Sequence, residues 1–212
     1  MELFFQPMAC SLATRIAFYE AGIPVDYIRV NLKEKKTADG RDFLSINARG
    51  QVPALRLPDG DVLTENVAVL DYVADLKPEA ALALRGKERL QVRRWIGLIN
   101  SELHTGALEP VLSTSAPAPV EAKAYLLGRA RQVLAYIDGE LRNREWLAGQ
   151  YSVADMYLAV VVSWLQSPVL RQAADTIAPT DYPNLQSHNA RVFTRPAAAK
   201  ALREELALFR AG

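Results

Sequence analysis

Across roughly its first 76 residues the chain alternates strand and helix signals, and beyond them it is almost all helical. That switch narrows the possible folds more than any other feature. Residues 1–5 read as a short apolar strand, Gln6-Pro7-Met8-Ala9 as a turn, and residues 11–20 as a helix ended by Gly22. Ile28, Val30 and Leu32 then alternate with Tyr27, Arg29 and Asn31, the period of a strand. Lys33-Glu34-Lys35-Lys36 reads as a charged loop and residues 41–46 as a short helix. Residues 52–57 and 61–63 flank Pro58-Asp59-Gly60, a hairpin signal, and residues 65–76 carry Val69, Leu70, Val73 and Ala74 at helical spacing. The order β-α-β-α-β-β-α requires the first two strands to pair in parallel and the last two to form an antiparallel hairpin.

The sequence therefore predicts an α/β domain over 1–77, a short linker opened by Lys77-Pro78-Glu79, and an all-α domain over 87–212. One long helix is expected from about Lys87 past His104, with Trp95, Leu98, Ile99 and Leu103 on its apolar stripe. Residues 116–119 read as a loop and 120–141 as the next helix. Ser152-Val153-Ala154-Asp155 is spaced as a capping box, with Tyr151 and Met156 at the staple positions, so Asp155 is read as a helix starter rather than a catalytic carboxylate. Pro183 and Pro196 mark two further helix starts.

Composition removes several function classes. Half of the 212 residues are hydrophobic, and 25 Lys and Arg balance 24 Asp and Glu. Near-zero net charge gives no electrostatic footprint for nucleic acid or an anionic membrane surface. The most apolar run, residues 156–165, is about half the length a membrane-spanning helix needs and reads as a buried helix. A single cysteine and no signal-like start predict a cytoplasmic protein without a disulfide framework. With two histidines far apart and no cysteine pair, a metal site is not expected.

The single cysteine, Cys10, falls where the first strand meets the first helix. Unpaired backbone N–H groups and the helix dipole at such a position favour thiolate over thiol. Ala13 stands where a second thiol would complete Cys-x-x-Cys, which argues against a dithiol oxidoreductase. In a thioredoxin-like sheet, Cys10, the turn before Val52-Pro53 and the helix start at Glu65-Asn66 all lie at one end. Pro53 is expected at a sheet edge, leaving the Val52 backbone to pair with an extended peptide. The Glu65-Asn66 helix start offers N–H groups to a carboxylate, and the Glu65 side chain can receive an amine. Those requirements describe a short peptide with a free amine and carboxylate at one end and a thiol near Cys10.

The chain resembles the cytosolic glutathione S-transferases, the bacterial beta class most of all, over essentially its whole length. The resemblance rests on Pro7-Met8-Ala9-Cys10-Ser11, Lys35-Lys36-Thr37, Asn47-Ala48-Arg49-Gly50-Gln51-Val52-Pro53 and Leu63-Thr64-Glu65-Asn66. Glu102-Leu103-His104, Ser152-Val153-Ala154-Asp155, Tyr182-Pro183-Asn184-Leu185 and Arg195-Pro196 follow in the family's order. It implies a thioredoxin-like N-terminal domain, an all-α C-terminal domain, a homodimer, and a cis peptide bond before Pro53. It also implies glutathione as co-substrate, with no further cofactor, and a small hydrophobic electrophile as acceptor.

Carried over by residue, Cys10 faces the glutathione sulfur, with Ser11 as the competing thiol activator; helix capping is the alternative task for Ser11. Lys35 contacts the glycine end, or else is a solvated loop charge. Val52 pairs with the cysteinyl backbone, Pro53 belongs to the same glutathione site, and Glu65 and Asn66 hold the γ-glutamyl end. Glu102 and His104 line the site in this class, His104 as a catalytic residue or else as a satisfied histidine inside a helical interface, and the acceptor pocket is expected near Leu103, His104, Leu108 and Val111. His188 matches no motif and is read as structural or superficial. The chain departs from the family at Thr105, where a lysine is usual, at Gly97, where an asparagine is common, and at Asn66, where a small residue is usual. The resemblance implies a transferase that activates the glutathione thiol, with thiol–disulfide exchange at Cys10 as a side activity. A glutathione-dependent isomerase or dehalogenase, or a non-catalytic binding protein, shares the same motifs.

Overall fold

The computed structural model describes residues 1–80, 82–113, 117–167, 170 and 177–211. These fall into two compact units, Met1–Ala83 with Phe193–Gly212, and Leu84–Val192.

In the first unit a five-stranded sheet runs in the order β3-β2-β1-β4-β5, from β1 (Glu2–Phe5), β2 (Asp26–Asn31), β3 (Lys36–Thr37), β4 (Ala54–Arg56) and β5 (Val62–Thr64). β1 pairs in parallel with β2, and β4 and β5 form the antiparallel hairpin, as the alternation predicts. β1 is central, and Leu3, Phe4 and Phe5 are buried on both faces. Phe4, Val30, Phe43 and Ala54 make one buried cluster, with Val52 packed against it. Helices α1 (Ser11–Ala21) and α2 (Asn66–Leu76) pack together through such residues as Leu12, Ile16, Leu70 and Val73. α1 ends at Gly22, whose φ of 63° lets its N–H return to the Phe18 and Tyr19 carbonyls.

Three expectations change. β3 lies partly in the segment read as a charged loop: Asn31 Oδ1 accepts from the Lys33 and Glu34 N–H groups and turns the chain back onto β2. The short helix expected over 41–46 is a 3-10 turn, Phe43–Ser45, started by the Asp42 side chain. Pro53 is not on an edge strand. β4 sits between β1 and β5, and Pro53 immediately precedes it, where the ring displaces no ladder hydrogen bond.

The last helix, Pro196–Arg210, which we number α8, belongs with the first unit and packs on α1 through Ala198 and Ala201. Chain order alone places this helix with the helical domain; its packing places it with the sheet.

The second unit contains α3 (Gly86–Leu98), a π-helical segment (Ile99–Leu108), α4 (Glu109–Leu112), α5 (Val120–Leu141), α6 (Val153–Ser163) and α7 (Pro183–Thr194). The single long helix predicted past His104 therefore widens after Leu98. Gly106 allows it, because a Cβ there would stand 2.1 Å from the Ser101 carbonyl oxygen. α6 is buried from Val153 to Val162, and the predicted capping box is formed. Asp155 Oδ2 accepts from the Ser152 N–H at 2.9 Å and its hydroxyl at 3.0 Å. Asp155 Oδ1 accepts from the Leu147 N–H and meets His188 Nε2, both at 2.9 Å. His188 is thus a core residue tied to the start of α6, not a surface one. Among the described residues no helix is long and apolar enough to cross a membrane. Ala116, at the start of the loop read over 116–119, lies outside the described residues.

Candidate active site

The β1–α1 turn is knitted from within. Ala9 N–H donates to the Gln6 carbonyl at 3.1 Å, and Met8 takes a left-handed φ of 64°. The Ser11 hydroxyl donates to Gln6 O at 3.3 Å and lies 3.4 Å from Gln6 N–H, whose hydrogen it accepts. Ser11 is fully buried and is the first helical residue, so its hydroxyl closes the turn rather than capping α1. The cap position belongs to Cys10, whose side chain makes no capping bond. Its sulfur donates instead to the Val52 carbonyl at 3.3 Å, a bond only the protonated thiol can make.

Val52 precedes Pro53 through a cis peptide bond. The loop before it is fixed by two side chains. Asn47 Nδ2 donates to Gln51 O at 2.7 Å, and Lys35 Nζ donates to Gly50 O at 2.9 Å. Gly50 has a φ of 59°, and a Cβ there would press on Lys35 Cδ and Leu44 Cδ2 at 3.0 Å. The Lys35 ammonium is therefore neither a solvated charge nor unengaged: it holds the loop that carries Val52.

Glu65 caps α2 at a φ of 68°, a conformation that costs a non-glycine residue about 1–3 kcal/mol and that clusters at functional sites. Its exposed carboxylate lies 3.5 Å from Arg49 Nη1. Asn66 is buried; its Oδ1 accepts from the Thr14 hydroxyl at 2.8 Å, while Nδ2 is buried with no partner among the described residues. Cys10–Val52, from the cap of α1, and Thr14–Asn66, from its first turn, are thus two bonds that bring the β1–α1 turn, the pre-proline backbone and the α2 start together.

Glu102 and His104 lie in the second unit on the π-helical segment. Glu102 pairs with Arg129. His104 is buried, bonds Tyr157 Oη through Nδ1, and is pushed down to about 4 by burial. Leu103 and Leu108 are fully buried and Val111 nearly so.

The sequence reading missed Glu205. This α8 carboxylate is fully buried, and its Oε2 accepts from the Met8 N–H at 2.8 Å, pinning the turn that carries Cys10. Burial raises it to about 7, against the Met8 N–H and Arg15, which favour its charge. Arg15 spreads its guanidinium over the Tyr27, Phe5 and Tyr19 rings and pairs with Glu204 at 2.5 Å. An isolated Glu-Glu pair 197 positions from Met8 carries no local signal of this contact.

Family profiles described as Glutathione S-transferase, N-terminal domain, and Glutathione S-transferase, C-terminal domain, match residues 7–76 and 99–196. The chain is 36% identical over 167 residues to glutathione S-transferase GstA of Escherichia coli O157:H7, covering 77% of this chain and 82% of that one. The chain belongs to the glutathione S-transferase family. Among solved members, a bacterial beta class enzyme of Sphingomonas chungbukensis superposes with a TM-score of 0.87 at 38% identity, covering 97% and 98% of the two chains. A sphingomonad glutathione S-transferase complexed with glutathione gives 0.86 at 36% identity, with the same coverage. The fold is accordingly the transferase one, a thioredoxin-like domain followed by an all-α domain, and the likeness is to the beta class. The expected cis bond before Pro53 is present as well.

Proposed function

We propose that this glutathione S-transferase ionises the thiol of bound glutathione and directs it at small hydrophobic electrophiles, with thiol–disulfide exchange at Cys10 as a second output. The observation that carries the reading is the Cys10 thiol bonded to the carbonyl of Val52, the residue before Pro53. That puts the one thiol of the chain against backbone suited to pair with an extended peptide. The α2 start then receives the γ-glutamyl end: its first N–H groups have no intrahelical acceptors, the Asn66 amide nitrogen lacks a partner among the described residues, and Glu65 exchanges Arg49 for the amine. Lys35 acts chiefly through the Gly50 loop and, from there, on the glycine end. Glu102 and His104 are assigned to the same site on family likeness, as are the cytoplasmic homodimer and the acceptor pocket. Ser11 supports the turn rather than the thiol.

A thiol with a pKa near ~8.5 is only a few per cent ionised at neutral pH. Making the thiolate dominant takes about 2–3 kcal/mol of preferential stabilisation. In conjugation the glutathione thiolate attacks the acceptor carbon, a C–S bond forms and a leaving group such as halide departs. In exchange the Cys10 thiolate attacks the disulfide of oxidised glutathione, forming a Cys10–glutathione disulfide and releasing one reduced glutathione. Conjugation of an aryl halide, together with mass spectrometry after incubation with oxidised glutathione, tests both outputs. Expected are aryl-halide turnover and a one-glutathione adduct that Cys10→Ala abolishes. Absence of turnover and adduct alike would leave the fold without this chemistry.

A further inference from the structure

Inside the second unit, Asn100, His104, Tyr157 and Trp164 form one polar and aromatic network. Tyr157, on α6, is fully buried, and its hydroxyl donates its single proton to Asn100 Oδ1 at 3.0 Å. The same oxygen meets His104 Nδ1. With its proton already committed, Tyr157 can only accept from the histidine, so Nδ1 carries the hydrogen. The imidazole is further fixed edge-on to the Tyr157 ring, at 5.7 Å and 89°, and to the Trp164 ring, at 5.0 Å and 67°. Asn100 and His104 share the π-helical segment, where Thr105 Oγ1 also donates to the Asn100 carbonyl at 2.7 Å. The widened turn thus sets Asn100 and His104 on one phenolic oxygen.

We propose that Tyr157 and Asn100 are positioning residues that hold His104 as the Nδ1–H tautomer, reserving Nε2 as a hydrogen-bond acceptor for the reaction. The inference rests on the reading of His104 as a site residue. Burial keeps the imidazole uncharged through the physiological range, so the tautomer alone decides whether Nε2 offers a lone pair or an N–H. The hydrogen on one ring nitrogen is set by the partner of the other.

The chain has only two histidines, so long-range proton–nitrogen NMR of histidine-labelled full-length protein reads each tautomer directly. Wild type should show His104 protonated at Nδ1. Asn100→Ala frees the Tyr157 proton to turn toward Nδ1, and His104 should then switch to Nε2–H with Tyr157 still in place. Tyr157→Phe should mix the tautomers and lower kcat about tenfold, the scale of one buried hydrogen bond, with KM for glutathione within about twofold. Unchanged turnover in His104→Ala would overturn the site reading on which the inference stands. If His104→Ala does lose turnover, a wild-type Nε2–H tautomer, or no switch in Asn100→Ala, would overturn the inference itself.

Discussion

Glu205→Gln should make the protein more stable at alkaline pH while changing it little in mild acid. The buried carboxyl is raised from 4.5 to about 7, so the fold prefers its uncharged form. For such a group, stability is fully present below the unfolded value near 4.5 and is lost as pH rises through about 7. Shifts of that size correspond to about 3 kcal/mol in all, most of it falling between pH ~5 and ~8. Glutamine keeps an oxygen for the Met8 N–H and cannot ionise, and Arg15 retains Glu204. Urea denaturation of both proteins at pH ~5 and ~8, at one protein concentration, measures the difference. The gap in favour of glutamine should widen by about 2–3 kcal/mol between the two pH values. A constant gap would mean that Glu205 does not titrate as its burial requires.

Two further substitutions probe the geometry. Gly106→Ala places a methyl group 2.1 Å from Ser101 O and should cost about 2–4 kcal/mol by forcing the π-helical segment to rearrange; an unchanged thermal midpoint would refute that clash. Thr14→Val removes the hydroxyl that donates to the buried Asn66 Oδ1 and should cost about 1–3 kcal/mol in urea denaturation, with weaker glutathione binding as the second readout.

What could be read from the sequence was local. The β1–α1 and hairpin signals, Gly22, and the Ser152–Asp155 box each depend on residues within a few positions of one another, and each reads correctly. β3 is only two residues long, too short to show a period. Pro53 misled because proline is excluded from a ladder but not from the position just before one, and sequence does not say which strands flank β4. The π-helical segment has the apolar stripe of an ordinary helix, and only the backbone approach at Gly106 distinguishes it. Motifs single out Cys10, Val52, Glu65 and Asn66 as candidate site residues, but what they bond is not legible in them. The thiol on Val52 O, Lys35 on Gly50 and Glu205 on Met8 are contacts between distant residues. Of the two tasks read for Ser11, helix capping is not the one it performs, because its hydroxyl turns back to Gln6 and the cap position belongs to Cys10.

Titration calorimetry of reduced glutathione into wild type and Glu65→Ala goes to the heart of the account. A tripeptide seated on Val52 and the start of α2 should give sub-millimolar binding that this substitution weakens more than tenfold. Equal affinities in the two proteins, or no heat at millimolar ligand in the wild type, would contradict it.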